Sequence, residues 1–468
     1  MAEDIVAREK FASRLGFILI SAGCAIGLGN IWRFPYITGE YGGAAFVIMY
    51  LVFLVILGLP VMVMEFSVGR ASQRSTATAF NILQPSGKWN WFGWVTVLGC
   101  LILMMFYTTV CGWFLNYVVK MATGTFNGLD PDGVANVFGT MMGSPSELIA
   151  WMLFVVILGF LVCSLGLQKG VERITKFMMV CLLILLVVLV VRAVTLPGAE
   201  AGLEFYLMPD FGALFAGDNP AAQWGHFGEA VYAAMGQAFF TLSLGIGSME
   251  IFGSYIDKDR SITGESLRIC GLDTFVALMA GLIIFPACLA FGVSPDAGPS
   301  LVFITLPSVF EMMPLGQLWG SLFFLFMSFA ALSTVIAVFE MLLAWSMDKW
   351  GLTRRQVVVR TAVRMTTLRR ESPHLSMLQA RRFSNTAMTV ESAAKLMNRK
   401  KSEPHSWPRG ICSNTEGSVM NTSDGPASGL TPNARQAGKM MRPAMRATKV
   451  SRPQMRSDSP VMERSLSI

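Results

Sequence analysis

Histidine is almost missing from this chain: there are three in 468 residues, and only His226 precedes residue 351. Charge is scarce as well, with Asp, Glu, Lys and Arg together at 14%. No nucleophile–base pair, metal-ligand cluster or phosphate-binding loop can be assembled from what remains, so an enzyme reading fails on content. The eight cysteines are scattered, mostly through apolar segments. That spacing excludes a disulfide framework and leaves them as small core residues. The single Gly27-Leu28-Gly29 lacks the strand–helix setting of a nucleotide fingerprint. The first apolar segment is long, interrupted and soon followed by others, so it does not read as a signal peptide.

What the chain has is apolar length. Hydrophobic residues make up 53%, with 33 Phe and 31 Met. Eight segments can each cross about 30 Å of hydrocarbon: 14–38, 43–66, 91–120, 148–166, 171–195, 226–255, 263–292 and 316–348. The loops set the orientation. Loop 67–90 carries Arg70, Arg74 and Lys88 without an acid, and loop 167–176 carries Lys169, Arg173 and Lys176 against Glu172. Loops 121–147 and 196–225 hold only acids, among them Asp130, Asp132, Glu200 and Asp210. The positive-inside rule therefore predicts a multi-pass membrane protein with a cytoplasmic N-terminus, residues 1–13.

Two of these segments cannot be ordinary helices. Gly23 to Pro35 packs three glycines, Asn30, Arg33 and a proline into the first. Glycine and proline disfavour a helix interior, and lipid tolerates unwound backbone only where protein or a cavity shields it. The bland alternative, a glycine-packed helix interface, leaves Asn30 and Arg33 without a purpose. The sixth segment places Thr241, Ser243, Gly245 and Gly247 at mid-span. Two broken helices five spans apart predict inverted repeats, with a binding site between the breaks.

From residue 351 the character changes. Residues 351–468 carry 21 Lys and Arg against 7 Asp and Glu, whereas 1–350 carry 16 against 23. The stretch has no apolar run long enough to span. It reads as a basic disordered cytoplasmic tail, drawn to anionic lipid, or as a frame-shifted sequence; the second is the favoured expectation.

Residues 11–350 resemble the neurotransmitter:sodium symporter family. The resemblance rests on an ordered series: Arg14-Leu15-Gly16, the Gly23–Pro35 block, Gly42-Gly43, Tyr50, Gly58-Leu59-Pro60, Glu65, Gly69-Arg70 and Trp113. It continues through Lys169-Gly170-Val171-Glu172, Gln237 to Gly247, Ile304-Thr305-Leu306-Pro307 and Ala331-Leu332-Ser333-Thr334. The resemblance implies an all-α membrane protein of inverted-repeat transporter fold, with helices 1 and 6 broken and a transporter domain over 14–350. Family members with more helices lead to the expectation that the second repeat is incomplete here, cut after the eighth span. The implied activity is sodium-coupled symport of a neutral amino acid, hydrophobic or aromatic, in a bacterial inner membrane. The implied partners are a small amino acid and membrane lipid, with no nucleic acid. The alternative is a truncated, non-transporting membrane protein that binds or senses amino acids.

The resemblance also implies site residues. One sodium would take the Ala25 carbonyl, Asn30, Thr241 and Asp273. The second would take the carbonyls of Gly23, Ile26 and Ala330 with the hydroxyls of Ser333 and Thr334. Taken alone, that Ser–Thr pair would only back-bond to its own helix. Substrate would lie near Ala25, Leu28, Gly29, Tyr107, Phe240, Thr241, Ser243 and Thr334. Its side chain would face Leu103, Phe240, Ile246 and Val338. Arg33 and Phe240 would gate the site. Tyr50 and Gln237 match chloride-site positions, and Asp273 would make chloride unnecessary.

Overall fold

The computed structural model describes residues 10–360 apart from 86, 88, 258 and 293–299. These belong to the first of two compact units, Met1–Lys401; the second, Ser402–Ile468, lies outside the described residues, as does the expected tail from 361 onward.

Helix α1 (Arg14–Ala25) starts at Ser13, whose hydroxyl accepts the Gly16 N–H at 2.9 Å. This satisfies one of the donors that a helix start leaves open. α1 stops at Ile26, which turns extended. A π-helical turn, Gly29–Arg33, then leads into α2 (Phe34–Glu40), and the two halves meet at 51°. Pro35 fits because a first-turn N–H has no intrahelical partner to lose. Gly42 and Gly43, both at positive φ, turn the chain into α3 (Ala44–Phe53). α3 runs through a π-helical turn into α4 (Leu59–Ser72), forming one span.

α5 (Thr76–Leu83) is short, and α6 (Asn90–Ala122) crosses in 33 residues. α7 (Pro131–Gly143) and α8 (Pro145–Ser164) follow, then α9 (Arg173–Val194), which a π-helical turn extends back to Leu167. α10 (Glu200–Leu207) lies outside the spans. α11 (Pro220–Thr241) is capped by Asn219 and ends at the second break, and α12 (Ser248–Gly253) resumes after it. α13 (Ile262–Ala290), α14 (Leu306–Glu311) and α15 (Gly316–Trp350) complete the bundle.

Six continuous helices among the described residues are long and apolar enough to span, and the bent pair α1/α2 makes a seventh. The sequence reading expected eight. The remaining one, 226–255, is not a continuous apolar helix: α11 carries His226, Glu229 and Gln237, and the chain unwinds over 242–247.

α15 is the central post. The most apolar stretch of α15 is 83% buried, and it packs against α1, α6, α8 and α9. Residues 354–360, placed by the sequence reading in the basic tail, are helical and return to the bundle. Val357 is buried there, and Arg354 forms paired bonds to the buried Glu340.

Candidate functional site

The two breaks lie directly against each other beside α13. The π-helical turn of helix 1 packs on α13 and α11, so the open backbone of the first break is shielded by protein, while the second is half-buried and exposed at Gly245. Asp273, fully buried on α13, stands at their junction. Its Oδ1 accepts from Asn30 Nδ2 at 2.8 Å and its Oδ2 from Thr241 Oγ1 at 2.8 Å. Asn30 Nδ2 also donates to the Asp273 carbonyl at 3.0 Å, while its Oδ1 accepts the Gly27 N–H at 3.2 Å. One carboxylate thus joins both broken helices through neutral donors. Asn30, Thr241 and Asp273 come together; Ala25, the last residue of α1, has a place at the break but no described bond to this group.

A second group lies between α1 and α15. Ser333 Oγ donates to the carbonyls of Gly23 at 2.7 Å and Ala330 at 2.9 Å. Thr334 Oγ1 reaches the carbonyls of Cys24 at 3.2 Å, Ala330 at 3.3 Å and Gly23 at 3.4 Å. The hydroxyls back-bond within α15, as adjacent Ser and Thr do, but they also bridge to the frayed end of α1. Ile26 adjoins this group as the extended cap of α1.

Close packing over the break leaves little freedom. A Cβ on Gly27 would fall 2.9 Å from both Tyr107 Oη and Thr334 Oγ1, and one on Gly29 would fall 2.8 Å from the Phe240 ring. Leu28, between these glycines, is buried. Gly27 and Gly29 are therefore required by the close approach of Tyr107 and Phe240 to bare backbone. Ser243, at φ 52°, turns its hydroxyl to the Cys24 carbonyl at 3.0 Å. The Phe240 carbonyl already accepts the Ser243 N–H at 3.1 Å. Val338 is buried on α15, while Leu103 and Ile246 are half-buried against the core.

Arg33 lies 5.2 Å over the Phe240 ring and donates to Gln237 Oε1 at 2.8 Å. Gln237 Nε2 in turn donates to the Gly29 carbonyl at 2.9 Å. Among the described residues no carboxylate pairs with Arg33. Above it opens a cleft of about 580 Å³, lined by Tyr36, Glu40, Glu229 and Tyr232 among others. The far end is closed. There the N–H groups of Ala12 and Ser13 and the Ser13 hydroxyl all converge on the Glu172 carboxylate at 2.7–3.1 Å. Outside the spans, Lys10 pairs with Asp257 at 2.8 Å, which holds the Asp257 carboxyl below its usual value.

A model described as the sodium:neurotransmitter symporter family matches residues 8–128 and 138–371. The chain belongs to the sodium:neurotransmitter symporter family. A relative described as the uncharacterized sodium-dependent transporter YhdH of Bacillus subtilis is 39% identical over 335 residues, covering 72% of each chain. An uncharacterized sodium-dependent transporter of Haemophilus influenzae is 33% identical, covering 76% of this chain and 77% of its own. Among solved structures, that of MhsT in complex with L-phenylalanine aligns with a TM-score of 0.69 at 37% identity, covering 81% of each chain. The fold is therefore the inverted-repeat fold of this symporter family. The five spans from α1/α2 to α9 form the first repeat, and α11/α12, α13 and α15 supply three spans of the second. The symporter-family match continues past the expected boundary at 350, as the packing of residues 354–360 does.

Sequence reasoning matched Gln237 to a chloride position but missed its bridge from Arg33 to the helix 1 break. It also missed the Cys24 carbonyl, which gathers two hydroxyls. Gln237 lies on α11 one turn before Thr241, which was the available signal.

Two substitutions probe the pocket. Tyr107→Phe keeps the ring and removes the hydroxyl beside Gly27. Substrate affinity is expected to fall by about 1.5–3 kcal/mol, the range for a hydrogen bond to a charged group. Phe240→Ala removes the ring over Gly29 and frees Arg33, so it is expected to weaken binding and speed release. Equilibrium binding and dissociation of labelled amino acid check both. Unchanged affinity in both variants would place the pocket elsewhere.

Proposed function

We propose that this chain couples sodium to the movement of a neutral amino acid, with a hydrophobic or aromatic side chain, by alternating access. Asp273 carries this reading: a buried carboxylate that joins both broken helices and is bonded only by the neutral Asn30 and Thr241. Sodium prefers hard oxygen ligands. Asn30 Nδ2 now gives Asp273 Oδ1 the positive partner that a cation would give. Turning that amide over would present Asn30 Oδ1 beside Asp273 and Thr241 Oγ1, with the Ala25 carbonyl, as a first sodium site. The Gly23, Ile26 and Ala330 carbonyls with Ser333 and Thr334 would form the second. Chloride would not be required, because Asp273 is a fixed negative charge.

The substrate carboxylate would meet the Leu28–Gly29 backbone and Tyr107, helped by the positive end of a helix start. Its amine would meet carbonyls at Ala25 and Thr241, near Ser243. Leu103, Ile246 and Val338 offer the side chain no charge. The relative MhsT is known in complex with L-phenylalanine, which supports a bulky apolar side chain. Arg33 and Phe240 would close the site from the cleft side. That cleft would open outside the cell, with the Glu172 latch and the N-terminus in the cytoplasm, a reading the loop charges support.

The test is a panel of labelled amino acids bound to the full chain in sodium and in potassium. Neutral apolar and aromatic members are expected to bind only in sodium. Equal binding in both salts would sink sodium coupling, and preference for a charged side chain would sink the substrate class.

A further inference from the structure

Beside the unwound stretch 242–247, three buried polar atoms have no hydrogen-bond partner among the described residues: Glu65 Oε2, Glu250 Oε1 and Ser248 Oγ. Glu250 is 4% exposed and Ser248 is fully buried. α4 and α12 meet here almost without a gap, since a Cβ on Gly69 would fall 1.8 Å from the Glu250 carbonyl oxygen. Glu65 precedes Gly69 by one turn and so lies on the same face of α4. Its carboxylate is within electrostatic reach of Glu250. Its Oε1 is occupied by the Gly245 N–H at 2.6 Å.

The surroundings supply no compensating charge. The thiols of Cys24 on α1 and Cys100 on α6 are near Glu65, and Cys100 Sγ donates to the Ile246 carbonyl at 2.9 Å. Arg70 on α4 donates to the Arg260 carbonyl at 2.7 Å. Thr76 on α5 stands beside Glu250, but it has one hydroxyl proton and gives it to the Gly247 carbonyl at 3.3 Å. On the other packed helices Asp273 of α13 is bonded by Asn30 and Thr241 and Glu340 of α15 by Tyr255 and Arg354, while Glu265 of α13 also has an orphaned Oε2 but its Oε1 pairs with Arg14 and Arg268. Glu65 and Glu250 are left as two neighbouring acids, each with an orphaned oxygen.

Two acids buried within electrostatic reach disfavour each other's ionisation, and a buried acceptor without a donor is costly. A single proton answers both problems, because a protonated carboxyl donates where an ionised one cannot. Among the described residues no group of three or more His, Cys, Asp or Glu could hold a metal ion. We propose that Glu65 and Glu250 form a proton-binding site that holds one proton between them while α12 packs on α4. The proton comes from bulk water and returns to it. Through the bond from Gly245 to Glu65, its presence sets the position of the unwound stretch that carries Thr241 and Ser243.

The proposal is tested by infrared spectroscopy of the full chain in lipid, in an Asp273→Asn background so that Asp273, the buried acid bonded only by neutral groups, cannot contribute. Spectra are recorded across the neutral pH range in sodium and in potassium. A protonated-carboxyl band is expected at neutral pH in both salts. Adding Glu250→Gln should remove it or move its disappearance to lower pH, because Glu65 alone ionises more readily. An unchanged band and titration in that variant would overturn the proposal. So would a band that appears only when sodium is withdrawn, which would make the pair a sodium site. If Glu250→Gln does not fold, Glu65→Gln decides in the same background: loss or shift of the band supports the shared proton, and an unchanged band refutes it.

Discussion

Replacing Asp273 with alanine is expected to abolish sodium-dependent binding at ordinary sodium concentrations. The carboxylate is fully buried and its two oxygens join helix 1 to helix 6 through Asn30 and Thr241. Alanine leaves an amide and a hydroxyl without their acceptor and removes the one negative charge available to a cation there. Breaking a buried charge interaction from one side costs about 3–5 kcal/mol. Here that corresponds to a factor of roughly 10²–10⁴ in apparent sodium affinity. Sodium titration of amino-acid binding to the full chain measures it. Asp273→Ser tests the charge more finely. Serine leaves room for a mobile anion, so binding by this variant is expected to recover in chloride and fail in gluconate. The unmodified chain should bind equally in both. An unmodified chain that fails in gluconate, or an alanine variant with normal sodium affinity, would show that Asp273 does something else.

Arg354→Ala is expected to destabilise the bundle by a similar amount, about 3–5 kcal/mol. Glu340 on α15 has no exposure, and its carboxylate accepts from both Nη atoms of Arg354 and from the Tyr255 hydroxyl at 2.9 Å. Arg354 also reaches the Cys163 carbonyl at 3.3 Å, so one side chain ties α8 to α15. Without it Glu340 keeps a buried charge and a single neutral donor. Thermal unfolding of the full chain in detergent reads the loss. Adding Glu340→Gln should restore part of it, since the amide no longer needs a counter-charge. If residues beyond 350 were a passive tail, Arg354→Ala would melt like the parent.

The breaks themselves were legible in the sequence, because Gly, Asn, Arg and Pro in one apolar run are incompatible with a continuous helix facing lipid. The spans were legible too, except where the site intrudes: α11 is too polar and too interrupted to read as a plain helix. Ser333 and Thr334 were different. Their spacing alone favours back-bonding within α15, and only the family resemblance pointed to α1. Nothing local shows that Asp273 meets Asn30 across 243 residues; that grouping too came only from the family resemblance. What stayed hidden depends on the third dimension: no spacing shows that Glu250 is buried within reach of Glu65. Arg354 was hidden for another reason. It opens an arginine-rich stretch, and composition cannot separate a buried anchor from the solvated charges that follow.

The latch at Glu172 has a consequence for how this protein can vary. Two of its three bonds come from the main chain at Ala12 and Ser13, and only one from a side chain. Peptide N–H groups survive almost any substitution other than proline, so residue identity at position 12 is weakly constrained while position 172 is not. Gly16 adds a fixed point, because a Cβ there would fall 2.0 Å from Glu172 Oε1. Homologues should therefore drift freely in sequence along this stretch yet keep its length to the residue. An insertion or an affinity tag placed between residues 12 and 16 would unfasten the latch, whereas one placed before Lys10 would leave it shut.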